Sequence, residues 1–343
     1  MTGPSKLLLV FLATPLLLNA GVVRKTSGHV IHPSDFKVLQ PQKKTYQQGT
    51  FKLDLYAQQF AQGKPVYFEI RPLKIEAGKL SGRLQFFYKE KEVPLVKTSF
   101  GFRGMFGIHA DEAVGNKDIR LTYTLNGETL NRNYKLYVAD IKYPYYRKSM
   151  RIKNYSNVTP DEDPAKAEER RKKVAAQWKK KQAVFRQNSK DYFSSRRSHP
   201  RSFHKITSPF WSKRVYKKYK FVKKNGRNVR VNLKPKVSIH HGTDLRGRPG
   251  APVYALAAGK VVIAERMIFE GNFVVIDHGN NIFTGYMHQS SLIVKEGQRV
   301  KAGQQVGRVG ATGAVTGPHL HVFLRINGVY VEPLSLIPLP IKN

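Results

Sequence analysis

The sequence predicts a mainly β protein, in which an immunoglobulin-like β-sandwich is followed by a basic helical linker and then by an antiparallel-β C-terminal domain. Three observations lead to this prediction. Apolar and polar residues alternate in short runs from Gly49 to Tyr143, as in half-buried strands. The stretch from Asp161 to Lys190 is basic and helix-forming instead. From His204 to Pro338 the pattern is β again, with glycine-centred turns and no long helical period.

The length agrees with two domains and connecting material, because 343 residues exceed the roughly 100 to 200 residues of an ordinary domain. The chain divides into a signal segment at residues 1–20, an accessory sandwich at 21–145, a linker at 146–203 and a C-terminal domain at 204–343. These boundaries follow the changes in composition.

The N terminus has the pattern of a secretory signal. Lys6 supplies a positive charge, Leu7 to Leu18 form a mostly apolar run, and small residues follow at Ala20 and Gly21. The run is too short to span a bilayer, and no later segment approaches the roughly 20 apolar residues of a membrane helix. We therefore expect an exported protein, periplasmic or secreted, with no transmembrane segment after cleavage. A buried strand or an uncleaved anchor is the alternative interpretation.

The accessory domain has the pattern of about seven strands. Leu121 to Leu125 and Leu130 to Ile141 flank Asn126-Gly127, a pair that favours the tight turn of a β-hairpin. Further strands are predicted at Val66–Ile70, Leu84–Tyr88 and Val93–Thr98. An immunoglobulin-like sandwich fits this number of short strands. His109 is the only histidine between Gly49 and Tyr143 and has no evident partner, so binding or spacing is the expected role.

The linker begins with acids at residues 161–163, where a helix dipole favours negative charge, and continues with runs of Lys and Arg. Val174, Trp178 and Phe185 are its main apolar residues, enough to lie on another surface but not to form a core. A solvated helix is the first expectation. The alternative is a segment that docks on the C-terminal domain or on an anionic polymer. Ser194 to Pro200 resembles a flexible hinge.

The composition excludes several chemistries. With no cysteine, the chain has no disulfide, no thiolate metal site and no cysteine nucleophile. A bound metal must therefore use histidine and carboxylate ligands. The 60 Lys and Arg against 23 Asp and Glu give a formal charge of +37, which attracts anionic polymers.

Two histidine motifs in the C-terminal region suggest a metal site. His240-His241-Gly242-Thr243-Asp244 places an imidazole four residues before a carboxylate, across a glycine that permits a tight turn. His319-Leu320-His321 places two imidazoles on one face of a strand, because side chains at i and i+2 point the same way. Each motif alone would more often be structural.

A third histidine belongs with them. Tyr286-Met287-His288 follows a predicted strand at Phe273–Ile276 and a turn at Asp277–Asn280. His288 is therefore expected at a strand end, where site residues often lie.

The motifs occur in a fixed order along the chain: Ser208-Pro209-Phe210, the segment from His240 to Asp244, Gly250-Ala251-Pro252-Val253, Ile276-Asp277-His278-Gly279-Asn280, Tyr286-Met287-His288, Glu296 to Gln304, Gly310-Ala311-Thr312-Gly313 and Gly317-Pro318-His319-Leu320-His321. This ordered set resembles the lysostaphin-like or LytM-type zinc endopeptidases, also called duplicated-hybrid-motif peptidases, which cut peptide cross-links of bacterial peptidoglycan. The resemblance covers Ile206 to Pro338.

The resemblance implies one zinc ion per chain, held by His240, Asp244 and His321 with water in the fourth position. His288 and His319 remain as catalytic imidazoles. In the implied mechanism, zinc lowers the pKa of the water, His319 acts as general base, and zinc with His288 stabilises the oxyanion.

Two further histidines are candidates for supporting roles. His241 could replace His240 as ligand after a one-residue slip, although the family's spacing favours His240. His278 is expected to be structural, with a hydrogen bond near the site as the alternative. The chain also departs from the family pattern, which continues after the last ligand as Phe-Glu, whereas Val322 and Phe323 stand here.

The resemblance implies peptidoglycan as substrate, and the net charge adds attraction to anionic envelope polymers such as teichoic acids or lipopolysaccharide. No nucleic-acid-binding module is recognisable. Two other interpretations stay open: a zinc-free adaptor that activates another wall hydrolase, and an enzyme whose cleft is covered by the helix or the sandwich. Family members cut glycine bridges or D-amino-acid and diaminopimelate cross-links, and a cysteine-free exported chain slightly favours D,D-endopeptidase activity in a Gram-negative periplasm.

Overall fold

The computed structural model describes residues 40–73, 80–151, 163–187, 189, 196–202, 205–224 and 226–342. Within these ranges the protein is mainly β, with one α-helix and one short 3-10 helix. The predicted signal segment at residues 1–20 lies outside the described residues. No helix in the described ranges has the length and apolar character needed to cross a membrane.

The N-terminal domain is a sandwich of two antiparallel sheets. The first sheet contains, in spatial order, β1 (Gln42–Gln48), β2 (Phe51–Ala57), β3 (Pro65–Pro72), β7 (Gly101–Gly107) and β6 (Val96–Thr98). The second contains β5 (Lys91–Val93), β4 (Leu80–Tyr88), β8 (Gly115–Leu125) and β9 (Glu128–Val138). Their inner faces share one core, in which the Phe68 ring stacks on the Phe86 ring at 3.9 Å.

The predicted hairpin is confirmed, because β8 and β9 pair in register around Asn126 and Gly127, both with positive φ. The predicted strand at Val93–Thr98 is wrong. Pro94 lacks a backbone N–H and interrupts the run, so β5 ends at Val93 in one sheet and β6 starts at Val96 in the other. Between Gly49 and Tyr143 the described residues contain eight strands, β2 to β9, rather than about seven, and β1 precedes them. Its immunoglobulin-like topology stays a prediction.

The helix α1 spans Pro164–Val184, and the Asp163 side chain caps it by accepting from the Ala165 N–H at 2.9 Å. Its C-terminal half contacts the C-terminal domain. Lys180 pairs with Glu265 at 3.2 Å, and Val184 is buried in an apolar cluster of that domain. Docking, the alternative in the sequence interpretation, therefore describes this segment better than a solvated linker. Trp178 is 60% exposed and takes no part in the docked face.

The expected hinge at Ser194–Pro200 is also wrong where the structure describes it. Ser198 and His199 are buried, and the Ser198 N–H donates to the Leu256 carbonyl at 2.8 Å. Arg197 forms a β-bridge with Ala257. These contacts tie the segment to the C-terminal domain.

A small sheet combines one strand that follows the sandwich with three strands inserted after the first strand of the C-terminal domain. It consists of β10 (Tyr145–Arg151), β12 (Lys213–Lys224), β13 (Arg227–Asn232) and β14 (Lys236–Ile239). β10 runs parallel to β12, while β13 and β14 pair with β12 antiparallel.

The C-terminal domain is built on one large antiparallel sheet with the central order β11-β15-β22-β19-β18-β17-β20, with β23 beside β22 and the pair β16-β21 beside β19. The strands are β11 (Ile206–Ser208), β15 (Thr243–Arg246), β16 (Pro252–Tyr254), β17 (Gly259–Met267), β18 (Gly271–Gly279), β19 (Ile282–Leu292), β20 (Arg299–Val300), β21 (Gln305–Val309), β22 (His319–Ile326) and β23 (Val329–Val331). The 3-10 helix Pro333–Leu336 follows.

The sandwich packs directly on this sheet. Tyr67 and Met105 of the sandwich belong to the buried core of the C-terminal domain. The Glu332 N–H donates to the Gly63 carbonyl at 2.8 Å. The two domains therefore share an apolar interface.

Candidate metal centre

Three neighbouring strands bring the predicted site residues together. β15 pairs with β22 so that Asp244 lies opposite His321, and β22 pairs with β19 so that His321 lies opposite Met287. Leu320 and Val322 point into the core, so His319 and His321 share the opposite face. The predicted strand at His319-Leu320-His321 is confirmed as the start of β22.

Three donor atoms converge on one point. His240 Nε2 lies 3.0 Å from Asp244 Oδ1 and 3.0 Å from His321 Nδ1, and His321 Nδ1 lies 2.9 Å from Asp244 Oδ1. These three residues form the group that could hold a metal ion in the described chain. Ligand atoms around a tetrahedral zinc, with bonds near 2.0–2.1 Å, lie roughly 3.3 Å apart. The spacing therefore fits such an ion after a small expansion.

The hydrogen bonds of His240 support the same conclusion. Its Nδ1 lies 3.0 Å from the Pro209 carbonyl, which can only accept, so Nδ1 carries the proton. Nε2 then presents a lone pair to the Asp244 carboxylate. Two lone pairs at 3.0 Å need a proton or a metal cation between them, so this contact suits a shared cation.

Position 242 requires glycine, because the His321 ring and the Val322 backbone lie too close to leave room for a side chain. A Cβ atom at this position would lie 2.5 Å from His321 Nε2 and 2.5 Å from the Val322 carbonyl oxygen. The glycine in the sequence motif therefore allows the chain between His240 and Asp244 to pass directly over the His321 ring.

The carboxyl of Asp244 is ionised. Burial disfavours the charge, but the imidazoles of His240 and His321 outweigh burial and hold the pKa of Asp244 well below its usual value. Burial likewise lowers the pKa of His321, which favours the neutral imidazole that a metal ligand requires.

His319 lies beside this cluster. Its Nε2 is 3.7 Å from Asp244 Oδ1, and its Nδ1 donates to the Gly317 carbonyl at 2.8 Å. The bond to Gly317 leaves Nε2 as the ring nitrogen with a lone pair on the side of the cluster.

His288 lies inside β19 rather than at a strand end, which corrects the expectation from the sequence. The pairing of β18 and β19 shifts here, so that Met287 and His288 together oppose Phe273. His288 has a φ of 64°, an uncommon conformation for a residue with a side chain. This β-bulge re-aims its ring, which lies 5.0 Å from the His319 ring.

The surroundings of His288 favour its neutral form. The backbone N–H of His288 donates to the Glu270 carbonyl at 2.8 Å, and its ring Nδ1 donates to the Thr312 carbonyl at 3.0 Å. Burial and the nearby His321 lower the pKa of His288 to about 4. No sequence pattern distinguishes the Thr312 and Gly317 carbonyls, because backbone acceptors carry no residue signature.

His241 and His278 lie elsewhere. The His241 ring stacks on Tyr330, with centroids 5.1 Å apart, and does not join the donor cluster. His278 is fully buried, with Nδ1 bonded to the Ala258 carbonyl at 2.7 Å and Nε2 to Thr284 Oγ1 at 2.8 Å.

Phe323, at the position of the family's glutamate, is 2% exposed and packs in an apolar cluster. Its ring meets Phe185, just after α1, in an edge-on contact at 6.2 Å. An aromatic residue at this position therefore contributes to the surface on which the helix docks.

Trp211 is a residue that the sequence interpretation missed. The backbone N–H of Trp211 donates to the His240 carbonyl at 2.8 Å. The centre of its ring lies 5.2 Å from the centres of both the His109 and the His241 rings. His109 therefore has a partner, which only the packing of the two domains provides. Trp211 has a φ of 57°, so the turn before the ligand is held in an uncommon conformation.

Comparisons with known proteins match the region of the chain that contains the donor cluster. The sequence model of peptidase family M23 matches residues 238–333. Peptidoglycan DD-endopeptidase ShyA of Vibrio cholerae is 47% identical over 100 residues, which are 29% of this chain and 23% of that protein. DD-carboxypeptidase/endopeptidase Mpg of Neisseria meningitidis serogroup B is 43% identical over 103 residues, 30% of this chain and 24% of Mpg. The chain thus spans about a quarter of the length of these curated relatives.

A crystal structure of a Pseudomonas aeruginosa protein assigned to peptidase M23 aligns with a TM-score of 0.53. The alignment covers 82% of this chain and 96% of that chain at 22% identity. A likeness at this identity shows a shared fold.

Proposed function

Residues 238–333 form a domain of peptidase family M23, and on that premise we propose that the chain is an exported, zinc-dependent endopeptidase that hydrolyses peptide cross-links of bacterial peptidoglycan. The observation that carries the proposal is the convergence of His240, Asp244 and His321 within about 3.0 Å, with His319 beside them. The names of the relatives ShyA and Mpg support a D,D peptide bond as the target.

In this proposal His240 Nε2, His321 Nδ1 and Asp244 Oδ1 hold the zinc ion. Bound zinc would supply a water of lowered pKa and an electrophile for the substrate carbonyl. Pro209 fixes the tautomer of His240, and Gly242 lets the His321 ring reach its place.

His319 is the general base. Its bond to the Gly317 carbonyl keeps the proton on Nδ1, so Nε2 accepts the proton of the attacking water. The same atom then delivers this proton to the leaving amine when the peptide bond breaks.

His288 stabilises the oxyanion that develops on the substrate carbonyl. Since its Nδ1 proton is directed to Thr312, it can donate from Nε2 only as an imidazolium. In the substrate complex His288 takes this proton from solvent, and it returns the proton to solvent once the negative charge on the substrate is gone.

The experiment compares zinc content and products from purified sacculi for the wild type, His319→Ala, Asp244→Ala and His241→Ala. We expect one zinc per chain in all but Asp244→Ala, and conversion of cross-linked dimers to monomers by the wild type and His241→Ala. His241→Ala is the matched control, because it neighbours the ligand without joining the cluster. Bound zinc without any product from the wild type would refute the endopeptidase and favour the adaptor interpretation.

A further inference from the structure

A basic β-ribbon projects from the small sheet. The ribbon consists of β12 and β13, Lys213–Asn232, and seven of the twelve residues of β12 are Lys or Arg. No Asp or Glu occurs between Arg201 and Thr243. The ribbon precedes residues 238–333, so the family match does not account for it.

The ribbon is exposed along β13 and at Lys217, Phe221 and Lys224 of β12. All six residues of β13 are exposed, and Phe221 of β12 is 42% exposed. Lysines on an exposed strand are a common protection against edge-to-edge aggregation. Exposed aromatic and β-branched residues work against such protection, so this composition favours a binding role.

One face of the ribbon combines aromatic rings with cations. Lys217, Tyr219 and Phe221 alternate along β12 and share a face, and Arg230 lies opposite Phe221 on β13. The Arg230 guanidinium lies 3.9 Å over the Tyr219 ring, which meets the Phe221 ring edge-on at 5.9 Å. We call these four residues the ribbon face.

Apart from Lys213, the ribbon cations whose side chains the structure describes have no acidic partner. Lys213, at its base, pairs with Asp111 of the sandwich at 2.7 Å. In the described part of the chain, no acid pairs with Lys217, Lys224, Arg227 or Arg230. Their charge is available to an external anion, such as a carboxylate.

The ribbon is continuous with the metal centre. β12 starts at Lys213, two residues after Trp211, and β14 ends at Ile239, next to His240. At about 3.3 Å per residue, β12 extends roughly 40 Å from the ligands. A polymer strand bound at the ligands can therefore also reach the ribbon.

We propose that the ribbon face binds peptidoglycan strands outside the catalytic cleft and holds the substrate while successive cross-links are cut. This inference rests on the proposed function for the nature of the polymer. Peptidoglycan offers the two complementary groups, since sugar rings present apolar C–H faces to aromatic rings and stem peptides present carboxylates to Lys and Arg.

The test is co-sedimentation with purified sacculi, in the zinc-loaded His319→Ala background so that the polymer persists. Two ribbon-face variants are compared, the charge variant Lys217→Gln/Arg230→Gln and the aromatic variant Tyr219→Thr/Phe221→Thr. Threonine keeps the strand propensity of the replaced residues. The matched control is Lys173→Gln/Lys179→Gln, which removes two exposed charges from α1.

We expect each ribbon-face variant to weaken sacculus binding at least fivefold, and the control to change it less than twofold. Circular dichroism and zinc content verify that the variants fold. Binding that equals the control in both variants overturns the inference. If the aromatic variant binds sacculi normally, and the charge variant loses binding to polyglutamate beads as strongly as to sacculi, the ribbon is a general polyanion surface and the inference is also wrong.

A separate experiment tests the proposed endopeptidase activity without involving the ribbon. The unmodified zinc-loaded chain is given a soluble cross-linked dimer of muropeptides, which is too small to span cleft and ribbon. Absence of monomer product refutes the endopeptidase whatever the sedimentation shows.

Discussion

Asp111 of the N-terminal sandwich accepts a hydrogen bond from the indole nitrogen of Trp211 at 3.0 Å. The same carboxylate accepts from Lys213 at 2.7 Å. Trp211 in turn donates its backbone N–H to the carbonyl of His240. Two hydrogen bonds therefore connect the accessory domain to a candidate zinc ligand.

We expect Asp111→Ala to weaken zinc binding about threefold to tenfold, because groups that orient a ligand's own partner act less strongly than its direct partners, which typically change affinity 10- to 100-fold. Competition with a chelating zinc dye measures this. Asp140→Ala, which breaks an exposed pair with Lys142 in the same domain, is the matched control. Equal zinc affinity in both variants contradicts the link.

Gly242→Ala should abolish tight zinc binding, because the added methyl would lie 2.5 Å from His321 Nε2 and displace the ring. Gly317→Ala is the control, since its methyl meets no atom within 4 Å. Isothermal titration calorimetry of both metal-free proteins with zinc measures their zinc affinities. Wild-type affinity in Gly242→Ala would show that the ring can move without loss.

Phe185→Ala should release the end of α1. The ring packs edge-on against Phe283 and Phe323, and a half-buried phenylalanine contributes about 2 kcal/mol, roughly half of the loss for a fully buried one. Limited proteolysis should cut the helix faster, and urea unfolding should shift to lower concentration. Trp178→Ala on the exposed face of the same helix should do neither. Equal cleavage of the two variants would mean that the helix is held elsewhere.

A chain that starts at Ser202 should be less stable and less active on sacculi than the full chain. Deletion removes Tyr67 and Met105 from the shared core, and it also removes Asp111. Thermal unfolding and turnover per bound zinc measure the effect. The interpretation of a covered cleft predicts the reverse, a rise in turnover, and such a rise would favour it.

Acid should destabilise the fold partly through His278. Burial lowers the pKa of His278 to about 4, and both ring nitrogens are engaged in the neutral form. Between an unfolded pKa of about 6.5 and this folded value, the unfolded chain binds a proton that the folded chain does not, so the free energy of unfolding falls as the pH falls. Above pH 6.5, the lowered pKa of His278 contributes about 3 kcal/mol to the free energy of unfolding.

His278→Gln removes this titration. We therefore expect the stability difference between wild type and variant, measured by urea unfolding of the chelator-treated proteins, to narrow as the pH falls from 7 to 4. A difference that stays constant over this range would assign the acid sensitivity to other groups.

Much of the site could be predicted from the sequence because its motifs are local. The spacing of His240 and Asp244, and the alternation of His319 and His321, follow from turn and strand geometry over a few residues. The choice between His240 and His241 was open to a one-residue slip. The geometry separates them, since the His240 ring faces Asp244 and His321 while the His241 ring stacks on Tyr330.

Other features could not be predicted because they depend on contacts between distant segments. The bulge at His288 results from a register shift between β18 and β19, and the docking of α1 results from Phe185 meeting Phe323. The strand predicted at Val93–Thr98 failed for a related reason, since the two halves join different sheets.

The sequence by itself determined the mainly β composition and the basic character, because periodicity and composition are local properties. Its ordered motifs, through their resemblance to a family of zinc endopeptidases, led to the prediction of the five site residues. The tertiary structure alone decided that Asp244 lies opposite His321, that Asp111 of the sandwich is hydrogen-bonded to Trp211, and that the basic ribbon starts two residues after Trp211. Strand register and domain packing are set by the burial of residues far apart in the chain, and no local pattern contains that information.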